Sequence, residues 1–577
     1  MSGSAGNAGA TFAVVVREES AWPAAFGKPD GRMRLTEGWL LWRAGSSAAA
    51  GSPSGRQMAL LSGEVLQPRW GGSAASLAEA FESCGAGCLR GLDGCFFALV
   101  AEEGGEVRWA TDRLGSRRFF WRAWEGGVAL SDRPDALAAL GAAVDPVGLA
   151  WALASPAIYG GRSLWEGVRS VPPDAEGRAT ADGLRVDAQW RPALSALGAS
   201  KAAGGLMEGA KVRLAEAIRE SVRACLDDRE TLIALSGGWD ATTIAAEVVA
   251  MGRRARALSY GVPPFPADSD AMVAQRQAAS LGLPHEIVES YAGPLDLWLA
   301  LNVGRLACQR EPIVEADAWL AVAEEHEGAA VLLGDEWFGM RSETVPKDDD
   351  EVLNRLQMFG LDRCPALSDP PSEPWMRLGE ALEEERRAIV AEARERCGDL
   401  LGLRELLFLE QRLRCFHMPM RRWFPGDALA LRNPFLTRRM LDVVQALPLE
   451  LRLGKRLFRE TVAGRYPELF RIPRALAQAN ELDLAAEIRA AAPAIVEGLQ
   501  KDSPLDPWVP PERIAALLQR VAAQGAPPGW SERLKAMVPR RLRIRCGTAR
   551  AAREGPRVPE SLLLVRLLAV RTALARR

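Results

Sequence analysis

The run Leu232-Ile233-Ala234-Leu235-Ser236-Gly237-Gly238-Trp239-Asp240-Ala241-Thr242-Thr243 constrains this chain more than any other. Its apolar start reads as a buried strand, the two glycines as a sharp turn, and the residues after Trp239 as the beginning of an apolar helix. A strand that turns at once into a helix presents consecutive backbone N–H groups, and the helix N-terminus adds partial positive charge. Such a turn cradles an anion. Leu235, Ser236, Gly237, Gly238 and Thr242 are therefore candidates for phosphate binding, with the two hydroxyls as added donors. Asp240 would repel phosphate unless a cation stood between them, which makes it a candidate Mg2+ ligand. The spacing is neither that of a Walker loop nor that of a dinucleotide fingerprint. An ordinary strand–turn–helix with Ser and Asp capping has the same local pattern, so the rest of the chain must decide.

From about residue 205, long amphipathic stretches (207–226, 271–281, 375–397) alternate with short apolar runs (231–235, 255–260, 329–333). That alternation predicts a parallel α/β sheet. Residues 10–190 have a different texture. Short apolar runs at 11–16, 39–43, 95–101, 107–111 and 119–121 are separated by Gly, Pro and Asp. They predict mostly antiparallel sheet. With 577 residues the chain is too long for one core, and the expected division is 1–200, 205–480 and a helical extension over 481–577. The first boundary falls in the Ala/Gly-rich segment 197–205. Residues 347–351 and 365–374 read as a solvated loop. The segment holding Arg540, Arg541, Arg543, Arg545 and Arg550 reads as an amphipathic surface helix or as a basic surface for an acidic partner.

Bulk properties remove several classes of function. Lys and Arg number 72 against 74 Asp and Glu, a formal net charge of −2, so nothing points to nucleic acid. The nine cysteines lack metal-binding spacing and fit reduced thiols in a cytoplasmic protein. No basic-then-apolar start suggests a signal peptide. No apolar run reaches the ~18 residues of a membrane span; the longest candidate, 562–570, is interrupted by Arg566. The only histidines are His285, His326 and His417, which argues against a mechanism that needs several.

Ser-Gly-Gly-x-Asp resembles the pyrophosphate loop of the ATP pyrophosphatases, and the resemblance extends to the asparagine synthetase superfamily. Ala257-Leu258-Ser259-Tyr260-Gly261 resembles the strand that borders adenine in that family, which implies ATP contacts for Ser259 and Tyr260. Asp270, Ala274, Ala278, Leu281, Gly282 and His285 resemble its next helix. Leu333-Gly334-Asp335-Glu336-Trp337-Phe338-Gly339 resembles the family's Asp-Glu-Leu-Phe-Gly segment, which implies a second Mg2+ ligand at Asp335 and a loop contact at Gly334. The family has Gly-x-Gly-x before this Asp, and here only Gly334 remains. Arg432-Asn433-Pro434-Phe435-Leu436-Thr437, then Gly454-Lys455-Arg456-Leu457-Phe458-Arg459, then Tyr466-Pro467 continue the similarity. Where the family carries Arg-x-x-Lys, this chain has Arg471-Ile472-Pro473-Arg474. The resemblance implies that Arg474, or Lys455 nearby, balances charge as pyrophosphate leaves.

In the first half, Gly91-Leu92-Asp93-Gly94-Cys95-Phe96-Phe97-Ala98 and the run from Asp112 to Phe120 resemble the glutaminase domain of the same family. The implied fold class is α/β: an Ntn-type α/β sandwich, a degenerate glutaminase, followed by a parallel-sheet ATP-pyrophosphatase synthetase domain. The family's glutaminase needs Cys at position 2, where this sequence has Ser, so the domain is expected to be structural. The implied chemistry is ATP- and Mg2+-dependent amide formation through an acyl-adenylate, on a peptide or small-molecule carboxylate. A tyrosine–glutamate pair of the β-lactam synthetase kind is not apparent, and Ala430 and Thr437 depart from the asparagine synthetase motif. What remains favoured is a lasso-peptide cyclase, which joins an Asp or Glu side chain to the peptide's N-terminal amine, with a leader-peptide-binding protein and a protease as partners. Residues 412–424 could line its pocket or pack as a helix face. Glu311 and His417 are candidates for the general base. A β-lactam-synthetase-like or ammonia-dependent enzyme, and a decayed non-catalytic scaffold, stay as alternatives.

Overall fold

A computed structural model describes residues 10–66, 68, 70–196, 203–340, 344–368, 372–524 and 557–576. The first half contains β1 (Phe12–Val16), β2 (Gly31–Leu35), β3 (Gly38–Arg43), β4 (Ala48–Gly51), β5 (Gln57–Val65), β6 (Gly94–Glu102), β7 (Val107–Thr111), β8 (Phe120–Trp124), β9 (Gly127–Ser131), β10 (Arg169–Ser170), β11 (Ala175–Thr180) and β12 (Gly183–Gln189). They form two six-stranded antiparallel sheets, ordered β10-β8-β9-β1-β3-β2 and β12-β11-β7-β6-β5-β4.

The burial of β1 explains how the sheets stack. All five residues are buried, although side chains alternate between faces. Ala13 and Val15 join Leu99, Trp109 and Phe119 between the sheets. Phe12, Val14 and Val16 face a second core shared with the helix Pro146–Ala154. The strand β6 is divided likewise: Phe97 and Leu99 point between the sheets, and Phe96 and Ala98 point to the helix Ala74–Cys84. The result is a helix–sheet–sheet–helix sandwich. Phe97 and Phe119 stack at 3.9 Å in its centre.

The second half holds β13 (Thr231–Ala234), β14 (Arg256–Gly261), β15 (His285–Glu289), β16 (Ala330–Leu332) and β17 (Ala430–Arg432). They pair in parallel in the order β15-β14-β13-β16-β17. The mixed α/β class is therefore as expected, with antiparallel sheets first and a parallel sheet second. In β13, Ile233 packs on one face and Leu232 on the other, as a sheet covered by helices on both sides requires.

Arginines join the halves. Arg432 at the end of β17 bonds both Glu64 of β5 and Asp227 at 2.6 Å. Arg438 bonds Asp174 at 2.5 Å, and Arg113 pairs with Asp442. The helices Leu484–Leu499, Pro511–Ala523 and Glu560–Ala575 lie in the C-terminal stretch, and Leu563 and Leu567 share a core with Trp151 and Leu153. Arg566, which interrupts that apolar run, is buried and bonds Glu311 at 2.6 Å. Among the described residues no helix is long and apolar enough to cross a membrane.

Two expectations are corrected. The acidic stretch at 347–351 is not a solvated loop: it opens the helix Asp349–Arg355, capped by Asp348, which accepts from Glu351 N at 2.7 Å. Acidic side chains are favoured at that end of a helix. The Pro/Ser-rich stretch is also ordered in part, with a short helix at Pro365–Ser368 and Ser372 capping the helix Glu373–Arg394. The arginines at 540–550 and most of the segment 197–205 lie outside the described residues.

Candidate functional site

The strand β13 ends at Ala234, and the chain then turns into the helix Trp239–Ala250 at the C-terminal edge of the parallel sheet. Leu235 prolongs the sheet by donating to the Leu258 carbonyl at 2.7 Å. Ser236 is exposed beyond it. Gly237 has φ +63°, and a Cβ there would lie 2.9 Å from Val273 and 3.0 Å from the Asp270 carbonyl, so conformation and space both demand glycine. Gly238 is the N-cap residue of the helix, and among the described residues no side chain caps it by a hydrogen bond.

Gly334 lies against this helix start: a Cβ on it would meet Ala241 N at 2.9 Å. Small residues at 241 and 334 thus let the loop after β16 approach the loop after β13. Asp335 and Glu336 arrive by this route. Asp335 is half-buried and accepts from Asn433 Nδ2 at 2.9 Å.

The centre of the arrangement is Lys455. Its Nζ donates to Asp240 Oδ1 at 3.1 Å and Oδ2 at 3.0 Å, and lies 2.6 Å from Glu336 Oε1. Gly454 and Lys455 adopt φ +61° and +57°, so consecutive left-handed residues aim the lysine inward. A non-glycine residue in that region is uncommon and held by its surroundings. Its side chain is only 10% exposed. Burial alone would lower the lysine pKa, but the Glu336 and Asp240 carboxylates outweigh it and hold the group charged. Glu336 is pushed up to about 7, by burial first, with Lys455 drawing it down and Asp240 raising it further. Its second oxygen accepts from the Phe338 backbone N–H. One ammonium therefore serves two carboxylates, with Asp335 adjacent in the chain. The cluster has a surplus of negative charge.

Arg474 stands at the helix start by another contact. Its guanidinium lies 4.7 Å over the Trp239 ring, which also packs on Phe470 at 4.6 Å and carries Arg459 at 5.5 Å. Trp239 is the variable residue of Ser-Gly-Gly-x-Asp, and here it is a platform for two cations. Asp270 secures the segment after Arg474 by accepting from Ala479 N at 2.6 Å.

Other expected residues are placed differently. The hydroxyl of Thr242 is buried, 2.7 Å from the Gly238 carbonyl and 2.8 Å from Gln277 Oε1, so it pins the turn instead of facing an anion. Ser259 is buried, with Oγ donating to the Leu235 carbonyl at 2.6 Å and accepting from His285 Nε2 at 2.8 Å. It supports the loop from below. Tyr260 is half-buried against Trp319 at 5.7 Å. Glu311 is engaged with Arg566. His417 ends a π-helix, Phe408–His417, and packs on Phe416 at 5.0 Å and Phe408 at 6.2 Å. In the same helix Leu409 and Leu413 are core residues and Arg412 lies 3.7 Å over the Phe416 ring, while the buried Arg310, from the segment before Glu311, lies 4.2 Å from that ring.

Glu336 and Asn433 were not among the candidates. Both stand inside the motifs that marked their neighbours, Asp335-Glu336 and Arg432-Asn433-Pro434, and that adjacency was the available signal. Volume is no guide to this site: a cavity of about 850 Å³ lies elsewhere, lined by Arg117, Arg118, Arg133 and Arg305 among others.

Residues 213–298 match the family model described as asparagine synthase. The matched segment contains the Ser236–Asp240 turn, and it supports a place in the asparagine synthetase superfamily. It supports an ATP-using, amide-forming ligase in general. No curated protein matches the chain. Two solved structures are similar in part. One is described as the allosteric regulatory enzyme of purine biosynthesis, with 10% identity, a TM-score of 0.22, and coverage of 51% of this chain and 77% of that one. The other is glutamine phosphoribosylpyrophosphate amidotransferase from B. subtilis complexed with ADP and GMP, with 12% identity, a TM-score of 0.21, and coverage of 57% and 69%.

Proposed function

We propose that this chain forms an amide by activating a carboxylate as an acyl-adenylate with ATP, and that the product is a peptide macrolactam of the lasso type. The observation that carries the first part is the Lys455–Asp240–Glu336 cluster beside the Ser236–Gly238 turn. The turn offers backbone N–H groups to an anion at a helix N-terminus. The carboxylates of Asp240 and Asp335 are hard oxygen donors, and the surplus negative charge around Lys455 suits a divalent cation. Mg2+ held there would neutralise the pyrophosphate as it departs.

The remaining work belongs to side chains. Lys455 is kept protonated by two carboxylates and can move toward developing phosphate charge when a cation takes its place on Asp240. Arg474, on Trp239, supplies a second positive charge at the rim of the turn. Ring closure then depends on holding amine and acyl group together, which intramolecular reaction favours strongly. Arg412, half-buried and stacked on Phe416, offers a guanidinium group to an acidic part of a peptide. The lasso assignment rests on the departures at Ala430 and Thr437 from the asparagine synthetase motif. A leader-peptide-binding protein and a protease are the partners it brings, in the cytoplasm.

The test is mass spectrometry of a candidate core peptide incubated with the protein and Mg·ATP, with and without ammonium. Loss of one water together with AMP and pyrophosphate, independent of ammonium, supports macrolactam closure. A change that requires ammonium transfers the assignment to side-chain amidation. ATP left intact in the presence of substrate sinks the adenylation reading.

A further inference from the structure

On the edge strand of the parallel sheet and the helix packed beside it, three side chains converge. They are Glu286 in the edge strand β15, Glu325 at the end of the helix Ala316–Glu325, and His326, which follows it. One potential ligand atom from each lies within 4.8 Å of the others. The histidine is the informative member. It is only 8% exposed. Its Nδ1 lies 3.0 Å from Glu230 Oε2, just before β13, and its buried Nε2 has no hydrogen-bond partner among the described residues. A carboxylate on one ring nitrogen fixes the tautomer and leaves the other with a free lone pair, the usual outer arrangement of a metal-binding histidine. A buried nitrogen of this kind is otherwise costly.

We propose that Glu286, Glu325 and His326 bind one divalent transition-metal ion of the zinc class, with Glu230 positioning the histidine. A nitrogen and two carboxylates suit Zn2+, and water completes four-coordination. Tetrahedral bonds of ~2.1 Å put ligand atoms about 3.4 Å apart, so the group closes by roughly an ångström. Glu325 is exposed and free to make that movement, whereas Glu286 is half-buried on its strand. Arg256 Nε stands 4.0 Å from Glu230 Oε1, so this cation engages the outer carboxylate. A bound ion ties the edge strand to the helix end and, through Glu230, to the start of the central strand. The site is structural and independent of the adenylation reading.

The experiment is equilibrium dialysis of the full chain against Zn2+ alone, without ATP, with thermal unfolding and Co2+ absorption alongside. The expected results are one Zn2+ per chain, a higher Tm with Zn2+, and a Co2+ spectrum of nitrogen and oxygen ligands without thiolate charge-transfer bands. Glu325→Gln, a change at an exposed side chain, weakens Zn2+ at least about tenfold, and Glu230→Gln weakens it on the order of 10–100-fold. Zn2+ affinity equal in the wild type and the Glu286→Gln/Glu325→Gln double variant, or thiolate bands with Co2+, overturns the site. So does Tm unmoved by Zn2+, because an ion that binds the native state must stabilise it.

Discussion

Lys455 Nζ lies 2.6 Å from Glu336 Oε1, so a cation from the segment after β17 is fixed to the loop after β16. The same nitrogen reaches Asp240 at 3.0 Å. Three separate parts of the chain are thus tied at one buried point. Replacing Lys455 with Met removes the cation that bridges Asp240 and Glu336 and leaves two carboxylates facing each other. Expected are a loss of about 3–5 kcal/mol in stability and at least a ~100-fold fall in AMP formation. Lys455→Arg should recover stability better than rate, because a guanidinium keeps positive charge between the carboxylates but cannot reproduce the approach of a compact ammonium to developing phosphate charge. Denaturant melts and AMP release measure the two separately. Equal rates in Lys455→Met and wild type would remove the lysine from the mechanism.

Glu336 sets a pH dependence whose sign is fixed. Its folded value of about 7 stands above the ordinary 4.5, through burial first and Asp240 next. Between those values the native state holds a proton that the unfolded chain has released. The contribution is complete below 4.5 and disappears as pH rises through 7. Lys455 is shifted upward from 10.5, so its own effect falls at much higher pH. Glu336→Gln should therefore flatten the decline in stability between about pH 5 and about pH 8, on the order of 2 kcal/mol. Melts across that range decide it, and an unchanged slope would show that Glu336 is ionised throughout.

Asp240→Ala and Asp335→Ala should each abolish AMP formation while circular dichroism and cooperative melting persist. In the first, Lys455 retains Glu336 as a partner; in the second, Asn433 loses one acceptor but keeps its contact with Arg422 at 2.6 Å. AMP formation surviving in both variants would remove the metal role assigned to them.

These residues illustrate what a linear sequence discloses. The turn at Ser236–Gly238 was legible because its chemistry is local: strand, glycines and helix start are contiguous. The alternation of helices and strands disclosed the parallel sheet for the same reason. Lys455 is 215 residues from Asp240, and nothing in the spacing places them within a hydrogen bond. Thr242 misled for the opposite reason, since a hydroxyl one helical turn into the motif has the right type but points into the core toward Gln277. The acidic stretch near 349 looked solvated because its charges were read without the helix they begin. The convergence at His326 is invisible in sequence, as Glu230, Glu286 and Glu325 come from three separate segments of the chain.

Cys84 and Cys88 test whether the sandwich retains thiol chemistry. Cys84 is exposed, and its thiol donates to the Ala80 carbonyl at 3.0 Å. The Cys88 thiol is pushed up to about 12, chiefly by burial, so it is not a nucleophile near neutral pH. Serine at either position should leave product formation unchanged. Glutamine-dependent product that disappears in either variant would restore a catalytic role to the sandwich.

Arg432 couples the two halves to the site. It bonds Glu64 of the sandwich and Asp227 of the parallel-sheet half at 2.6 Å each, and the next residue, Asn433, holds Asp335. Burial raises the Asp227 pKa, but the hydrogen bonds from Arg432 and Arg229 overcome it and hold the group at about 2. A depressed carboxylate stabilises above its ordinary 3.8 and loses that contribution as pH falls toward 2. Arg432→Met keeps the apolar stem and removes the charge. Stability at neutral pH should fall by about 2–4 kcal/mol, less than for a fully buried pair because Asp227 is partly exposed. The acid limb of the stability curve should also flatten between about pH 4 and about pH 2. AMP formation should fall with it, since Asn433 loses the register of β17 that aims it at Asp335. An unchanged acid limb with full activity would mean that the halves are held by their apolar contacts and that the arginine is incidental to both.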